Sequence, residues 1–542
     1  MQGCSPLVKI SITNFTGTRF ILGTQDISMS IQKNDFKLPK DLDAVKVQNP
    51  RILINDKLLN REREACEYRP QLTTEIFQSE WTGVPESFVT KDGTPFHNTK
   101  SKILDCLGDM DLYGPLLADA LVVDLSVIIR SQASVIKTGC TFDKFGDAII
   151  KNITDTATAC GATRLDMVAD LYNKESSIKY ATRFDRKSKG FGSQISFQGD
   201  TIVPSDLTKS FLLDEENKNN LNAFIAKRFL SKVSEIWPGK FCITNGLINV
   251  FSDEGEREIY KPSDMMTILE EADNRIVCHI ADVLRSGSSN ISVKTADSDV
   301  VILLVGFMKQ FKEINDNVRI NVDFNSSGIK RKISVNKIFD KLGEKLSMAV
   351  LFFHAFTGAD ATTSFFKISK KEWFASWEKF PSKELLTATF IALSCCPLEV
   401  DVIGAQHTIQ DFVSFVFSRG HVIDLDQLRW NMFRTSSSNE LRLLPPSKDG
   451  LLQHILRCSY QAGWVWGNSL LQQKPPAPDA WGWKFHHGQL RIHWSCSDVS
   501  SQLQRALSMC QCRKNKCATC KCAKNKLKCL KFCNCSRDCG NI

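Results

Sequence analysis

The sequence lacks any long hydrophobic run. Its longest uncharged apolar stretches, residues 300–308 and 348–356, are about half the length that a helix needs to cross a bilayer. The first 14 residues contain no apolar signal core. We therefore expect neither a membrane protein nor a secreted one. In a reducing compartment, clustered cysteines are expected to bind metal and not to form disulfides.

Familiar catalytic signatures are also missing. The sequence shows no glycine-rich phosphate loop, no Ser-His-Asp or Cys-His arrangement and no internal repeat. With 542 residues, 42% hydrophobic and 24% charged, the chain has the composition of a globular protein of roughly three to four units. Any chemistry must come from other residues, and the acids and cysteines are the candidates.

Cysteine and positive charge are concentrated at one end. Nine of the 20 cysteines lie between Cys510 and Cys539, and the other eleven are scattered. The last 33 residues hold nine basic residues and one acid, so they carry +8 of the formal net charge of +9. This basic tail is typical of a polyanion binder, whereas a bare lysine run would more simply be a solvated or targeting segment.

The tail cysteines have the spacing C-x-C-x4-C-x2-C-x-C-x6-C-x3-C-x-C-x3-C, followed by x-Asn541. Zinc prefers four sulfurs in a tetrahedron, so nine thiolates serve three Zn²⁺ ions only if three of them bridge. So short a segment with few apolar side chains needs such a metal staple to fold. The predicted zinc ligands are Cys510, Cys512, Cys517, Cys520, Cys522, Cys529, Cys533, Cys535 and Cys539.

This cysteine pattern resembles the tesmin/TSO1-like CXC domain, which implies a three-zinc cluster that binds DNA. The family commonly has two such repeats, and this chain has one. A zinc knot used for protein contacts is the alternative. The basic residues expected to contact phosphate in the tail are Arg513, Lys514, Lys516, Lys524 and Lys526.

Between residues 115 and 370, apolar runs alternate with helical segments and end in acids. Asp124 and Asp170 each end an apolar run, and Asp297 and Asp299 follow the β-rich run at residues 291–295. The pattern predicts an α/β fold with a parallel sheet, whose ligands bind beyond the carboxyl ends of the strands. Crowded carboxylates persist when cations neutralise them, and oxygen ligands suit Mg²⁺ or Mn²⁺.

The order of these acids resembles that of the flap endonuclease (XPG/PIN-like) family, and uncharacterised animal proteins combine such a core with a cysteine-rich tail. The resemblance implies catalytic roles for Asp124, Asp170, Glu271, Asp297, Asp299 and Asp360. Leu269 stands where the family has a further glutamate, so Glu270 or Asp273 would have to compensate. The family usually has Gly-Cys-Asp at the position of Asp360, and this chain has Ala359 in place of the cysteine.

A basic segment with interleaved aromatics follows Asp170. In the flap endonuclease family the corresponding region begins a basic arch over the scissile strand, and a solvated amphipathic helix is the alternative. Its expected nucleic-acid contacts are Lys179, Arg183, Arg186 and Lys187.

Five segments are expected. They are an N-terminal region of unknown role (1–113), a PIN-like nuclease-type core (114–370, with an insertion at about 200–265), a helical extension (371–470), a Pro/Trp-rich linker (471–505) and the CXC zinc cluster (506–542).

The sequence thus predicts a DNA-binding protein with a flap-endonuclease-like core, tethered by the zinc cluster and located in the nucleus. Whether the core is an enzyme stays open. One hypothesis is a nuclease that uses two Mg²⁺ or Mn²⁺ ions on branched or single-stranded DNA. The alternatives are a non-catalytic DNA- or chromatin-binding factor on a degenerate PIN-like scaffold, and a zinc-dependent protein-interaction adaptor.

Overall fold

The computed structural model describes most of the chain from residue 83 onward and short pieces before it. The described residues are 36–37, 53–54, 63–65, 67–69, 77–80, 83–108, 110–170, 177–178, 194–244, 249–253, 256–260, 269–326, 329–436, 440–496, 508–512, 520–535 and 539–541.

Eight strands form the central sheet. They are β1 (Ala120–Asp124), β2 (Arg164–Val168), β3 (Lys240–Thr244), β4 (Asn249–Asp253), β5 (Glu256–Tyr260), β6 (Asn290–Thr295), β7 (Arg319–Ser326) and β8 (Ile329–Ser334). A hairpin of β9 (Trp483–His486) and β10 (Gln489–Ile492) lies outside this sheet, and Phe36–Lys37 pairs with Leu53–Ile54.

The strand order is β8-β7-β6-β1-β2-β3-β4-β5. The five inner strands from β7 to β3 run parallel, and the outer pairs β7-β8, β3-β4 and β4-β5 are antiparallel. Every residue of β1 and β2 is buried, because helices cover both faces of the parallel part. The carboxyl ends of β1, β2 and β6 therefore meet at one edge.

Thirteen helices of α type are found in the described residues. They are α1 (Leu125–Ala133), α2 (Phe142–Cys160), α3 (Glu215–Ile236), α4 (Ala272–Arg285), α5 (Ser298–Gly306), α6 (Met308–Ile314), α7 (Val335–Phe356), α8 (Lys370–Lys379), α9 (Lys383–Leu393), α10 (Glu399–Phe417), α11 (Leu425–Thr435), α12 (Lys448–Ser459) and α13 (Lys521–Lys524). Short 3₁₀ helices occupy Glu86–Phe88, Lys100–Cys106, Phe211–Leu213, Leu441–Leu443 and Pro478–Ala480, and a π-helix occupies Tyr460–Trp466.

Alternate side chains of β1 enter separate cores on the two faces of the sheet. Leu121 and Val123 pack in a core with α1, α2 and α3, whereas Ala120 and Val122 pack in a larger core that includes α4, α5 and α7. This is the period of two that a strand buried on both sides requires. The three-layer α/β architecture confirms the fold class predicted from the alternating pattern.

The larger core continues through the helices after residue 370 and into the β9-β10 hairpin. Trp373 and Trp377 of α8 are fully buried, and Trp481 and Trp483 join the same core. The segment predicted as a Pro/Trp-rich linker therefore contains a packed hairpin. Strands β3 to β5 lie within the segment predicted as an insertion and extend the sheet. The domain boundaries themselves stay predictions.

A buried ion-pair network lies at the start of β2. Arg164 donates from Nε and Nη2 to the Asp166 carboxylate at 2.8 and 2.9 Å, and Nδ1 of His279 lies 2.7 Å from the same carboxylate. Asp166 is fully buried. Burial raises the pKa of Asp166. The hydrogen bond from His279 and the charge and hydrogen bonds of Arg164 together lower that pKa by more, so it lies below its usual range.

We expect Asp166→Asn to lower the free energy of unfolding by about 3 kcal/mol at pH 7, because Arg164 then keeps only the half-exposed Asp282 as a counter-ion. A depressed carboxyl pKa contributes stability above the unfolded-state pKa, near 4, and that contribution disappears as the pH falls through the folded-state pKa. The deficit measured by urea unfolding should therefore shrink below about pH 4. Asp155→Asn, at an exposed pair with Lys151, is the control and should cost under about 1 kcal/mol.

No helix in the described part of the chain is both long enough and apolar enough to cross a membrane. This agrees with the absence of long hydrophobic runs in the sequence.

Candidate metal centre

The predicted acids begin at the carboxyl ends of neighbouring parallel strands. Asp124 is the last residue of β1 and caps α1 by accepting a hydrogen bond from the Ser126 backbone N–H at 3.0 Å. Asp297, two residues beyond β6, caps α5 through the Asp299 N–H at 2.8 Å. Because β1 pairs with both β2 and β6, these turns lie side by side at one edge of the sheet.

The pKa of Asp124 is raised by burial and by the negative charge crowded at this edge. Burial raises its pKa to about 6, and the neighbouring carboxylates of Asp170 and Asp297 add to the rise. Its hydrogen bonds from Ser126 act in the opposite direction but do not cancel the effect. Three of the six predicted acids thus interact electrostatically beyond the strand ends, where a cation would relieve their repulsion.

Lys100 joins three acids in the second part of the cluster. Its Nζ lies 2.8 and 2.9 Å from the two carboxylate oxygens of Asp297, 3.2 Å from Asp299 and 3.2 Å from Asp360. Burial lowers the lysine pKa, but Asp299, Asp297 and Asp360 raise it more, so it lies well above its ordinary value. The ammonium therefore remains charged and marks a cation position among the three carboxylates.

Asp299 has a buried histidine as a further partner. Nε2 of His354 lies 3.0 Å from its carboxylate. Burial, with the charge of Lys370 in addition, lowers the His354 pKa to about 4, so the neutral ring donates its Nε2–H to Asp299. Although burial raises the Asp299 pKa, Lys100 and His354 lower it more, and Asp299 is ionised. No pattern in the sequence predicted this contact between His354 and Asp299.

The acidic segment at the start of α4 contributes through Asp273. Carboxylate oxygens of Asp273, Asp297 and Asp299 all lie within 4.8 Å of one another, a spacing that one metal ion can bridge. Glu271 caps the start of α4 and is buried, but it is not a member of this group. Glu270 is buried next to it. Of the two acids that the sequence left open, Asp273 belongs to this group and Glu270 does not, and the metal-binding roles of Asp273 and Glu271 stay predictions.

Hydrogen bonds between side chains and backbone groups hold α4 near the end of β2. Asp170 accepts a hydrogen bond from the Ala272 N–H at 2.7 Å. The buried Arg275 donates from Nε to the Leu269 carbonyl and from Nη1 to the Ala169 carbonyl, both at 2.9 Å. Arg275 therefore fixes the spacing between the segments that carry Asp170 and Asp273.

Arg275→Met should separate these segments. We expect a loss of about 1–3 kcal/mol in the free energy of unfolding, because two buried carbonyls lose their donor. We also expect weaker Mn²⁺ binding, because Asp170 and Asp273 lose their fixed separation. Urea unfolding and Mn²⁺ titration measure the two effects, and Arg285→Met, at an exposed position on the same helix, is the matched control. Equal Mn²⁺ affinity in the two variants would contradict the positioning role.

The chemistry of the donor set fits a hard divalent ion. The carboxylates Asp124, Asp273, Asp297, Asp299 and Asp360 offer only oxygen, and neither cysteine nor histidine nitrogen takes part in the described acid group. Oxygen-only sets suit Mg²⁺ and Mn²⁺ in preference to zinc. A lysine ammonium lodged among them shows that a cation is accommodated there.

The tail cysteines form two four-sulfur groups. One consists of Cys510, Cys520, Cys522 and Cys529, and the other of Cys510, Cys529, Cys533 and Cys535. Cys510 and Cys529 belong to both, with their Sγ atoms 3.8 Å apart, as thiolates that bridge two zinc ions would be. Asn541 donates to the Cys529 Sγ at 3.3 Å, which gives the closing Cys-x-Asn a contact with the cluster. Cys512 and Cys539 lie outside these groups, and Cys517 lies outside the described residues.

The cysteine cluster packs against the rest of the protein. It shares a hydrophobic core with Ala65, Phe77 and Phe433. Arg69 donates to the Lys528 carbonyl from Nε and Nη2 at 2.9 and 2.7 Å, and its Nη2 lies 3.5 Å from the Cys522 Sγ. The described residues 63–65, 67–69 and 77–80, together with α11, therefore hold the tail cluster against the rest of the protein.

Two of the predicted nucleic-acid contacts lie in the described part of the chain. Lys524 and Lys526 are exposed on and just after α13. The others lie outside the described residues: Lys179, Arg183, Arg186, Lys187, Arg513, Lys514 and Lys516.

No protein-family model and no curated protein sequence matches this chain. Among solved structures, it is similar to the D15 flap endonuclease of bacteriophage T5 in a complex with DNA and metal ions, with a TM-score of 0.32, 10% identity, and coverage of 72% of this chain and 97% of that one. It is also similar to the catalytic core of Rad2 in complex with DNA substrate, with a TM-score of 0.31, 10% identity, and coverage of 70% and 99%. Both TM-scores are low, so the proposed function rests on the residues of the site.

Proposed function

We propose that this chain is a DNA-binding, metal-dependent nuclease whose hydrolytic centre is the carboxylate cluster at the sheet edge. The observation that supports it is the approach of acids from separate segments to one cation position. The ammonium of Lys100 contacts Asp297, Asp299 and Asp360, and carboxylate oxygens of Asp273, Asp297 and Asp299 lie within 4.8 Å of one another. A purely structural role would not require so many carboxylates at one place.

We propose two ion positions that share Asp297. Asp124 and Asp170 would hold one ion with it, and Asp273, Asp299 and Asp360 would hold the other. Bound divalent ions would lower the pKa of an attacking water and stabilise the departing 3′ oxygen of a phosphodiester. The chain itself orients the ligands: Ser126 holds Asp124, and His354 holds Asp299.

The tail is proposed to hold three zinc ions and to bind the DNA backbone. Its two cysteine groups share two sulfurs, as a bridged cluster needs, and Lys524 and Lys526 are free to approach phosphate from solvent. Because the tail packs against Ala65, Phe77 and α11, it would present DNA to the core in a fixed direction. The basic segment after Asp170 would orient the strand, and a nuclear location completes the proposal.

The direct test is a cleavage assay with the zinc-loaded full chain on labelled single-stranded, flapped and duplex DNA. We expect cleavage with Mg²⁺ or Mn²⁺, none with EDTA, and a preference for flapped or single-stranded DNA. Salt-sensitive binding without turnover in any divalent ion would contradict the nuclease proposal.

That last result is what a second candidate function requires, namely a DNA- or chromatin-binding factor on a silent PIN-like scaffold. Lys100 favours it, because an ammonium already neutralises part of the acid cluster. The adaptor alternative predicts instead that deletion of residues 510–542 leaves DNA binding unchanged.

A further inference from the structure

Lys100 is placed by a segment that the sequence left without a role. The Asn98 N–H donates to Ser364 Oγ at 2.9 Å, and the Ser364 N–H donates to the Phe96 carbonyl at 2.8 Å. Asn98 Nδ2 also donates to the Ile368 carbonyl at 3.0 Å. The segment just before Lys100 is therefore attached to the loop that follows Asp360.

The residues after Lys100 hold it from the other side. Lys100 begins the 3₁₀ helix Lys100–Cys106, in which Ile103 and Leu104 are buried in the larger core. The side chain of Lys100 is only 24% exposed, whereas that of Lys102, two residues on, is 68% exposed. Lys100 is thus directed into the acid cluster, unlike an ordinary surface lysine.

The contacts of the ammonium match those of a bound cation. Its three N–H donors face three carboxylates, and all its N···O distances lie between 2.8 and 3.2 Å. A Mg²⁺ ion would need the same oxygens at about 2.0–2.1 Å. An ammonium and a divalent ion cannot both lie between Asp297, Asp299 and Asp360, because the lysine fills the space and repels a second cation.

We infer that Lys100 is a resident cation that occupies one divalent-ion position of the acid cluster and must be displaced before metal enters it. The inference rests on the proposed function in one respect, that the acids are a metal site. It goes further in assigning the N-terminal segment a role in setting how tightly the site binds divalent ions. Charge then controls occupancy. The ammonium of Lys100 neutralises one of the three negative charges, so a divalent ion that competes for the site binds more weakly.

The test is a Mn²⁺ titration of the zinc-loaded full chain, with free Mn²⁺ followed by its electron paramagnetic resonance signal. We compare Lys100→Met, which keeps the length and removes the charge, with Lys100→Arg, which keeps the charge. Lys102→Met is the matched control. Lys100→Gln repeats the test in case the methionine variant does not fold.

In Lys100→Met we expect the weakest Mn²⁺ site to tighten at least about tenfold, because one competing charge is gone. Lys100→Arg and Lys102→Met should stay within about twofold of the natural chain. We also expect the metal-free Lys100→Met protein to unfold at a lower temperature and Mn²⁺ to restore it. This second readout does not depend on catalysis.

Equal Mn²⁺ affinity in Lys100→Met and the natural chain would overturn the inference, as would absence of Mn²⁺ binding in every variant. Tightening in Lys100→Arg as well would also overturn it, because the charge would then not be the cause. The cleavage assay is separate: tighter Mn²⁺ binding without cleavage would support the role of Lys100 and contradict the nuclease proposal. Cleavage with unchanged Mn²⁺ affinity would do the reverse.

Discussion

The double variant Asp297→Asn plus Asp299→Asn is expected to lose metal-dependent DNA cleavage by at least about a thousandfold, or about 4 kcal/mol of transition-state stabilisation. Both residues belong to the group whose oxygens lie within 4.8 Å, and Asp297 links the two parts of the cluster. Replacement removes two negative charges from the site and leaves each side chain one amide oxygen that can still accept a hydrogen bond. Initial cleavage rates in Mg²⁺ and Mn²⁺ measure the effect.

The substitution is chosen so that local structure survives. Asp297 caps α5, and asparagine accepts the same N-terminal hydrogen bond as aspartate. The control is Asp316→Asn plus Asp340→Asn, which removes two exposed acids from the same core. Cleavage by the double variant at the control's rate would show that the site is wrongly assigned. Loss of DNA binding together with cleavage would point instead to damage beyond the metal site.

Local sequence patterns were sufficient to predict the part of the fold that carries the acids. The run ending at Asp124 is a strand followed directly by a helix, because apolar residues buried on both faces are followed by an N-cap. Asp297 follows a strand and caps a helix for the same reason. Neighbouring parallel strands then bring these positions together, which the alternation of strands and helices allowed us to expect.

Lys100 could not be predicted, because its role depends on contacts distant in the chain. It lies 197 residues from Asp297, and nothing around position 100 resembles a motif. Whether Glu270 or Asp273 approaches the cluster depends on how the start of α4 packs, and Asp273 is the one that joins the described acid group. A sequence shows that several acids are present there, but not which one the packing of α4 turns toward the sheet edge.

The tail shows the same division between spacing and packing. Cysteine spacing predicted a cluster with shared sulfurs, and the two groups share Cys510 and Cys529. The docking of that cluster had no signal, because Arg69 and Phe77 lie more than 400 residues earlier in the chain and carry no pattern. The sequence predicted a linker before the tail and a cluster that tethers the protein to DNA, but not these contacts of the cluster with the rest of the chain.

The variant Cys510→Ser plus Cys529→Ser is expected to have the largest effect on the tail, because these sulfurs belong to both described cysteine groups. Serine does not replace a thiolate as a zinc ligand, so both groups lose two of their four ligands. We expect at least two of the proposed three zinc ions to be lost, as measured by elemental analysis. The control is Cys140→Ser plus Cys395→Ser, which removes two cysteines outside the tail.

Loss of zinc should spread to the surfaces on which the tail docks. A small domain of this kind derives its folding free energy from the metal, so its contacts with Arg69 and Phe77 should be lost together with the cluster. The described residues 67–69 and 77–80 should become sensitive to protease and exchange amide hydrogens faster. If the zinc content falls but this segment keeps its protection, the docked arrangement does not depend on the metal.

DNA binding should weaken by at least about tenfold in the same variant, since the exposed lysines of the tail lose their common framework. The dependence of affinity on salt should also become less steep, because fewer phosphates are neutralised. Lys524→Ala plus Lys526→Ala separates charge from fold: it should reduce the salt dependence while leaving the zinc content unchanged. If the serine variant bound DNA as tightly as the cysteine control, the tail would serve the stability of the protein rather than its contact with nucleic acid.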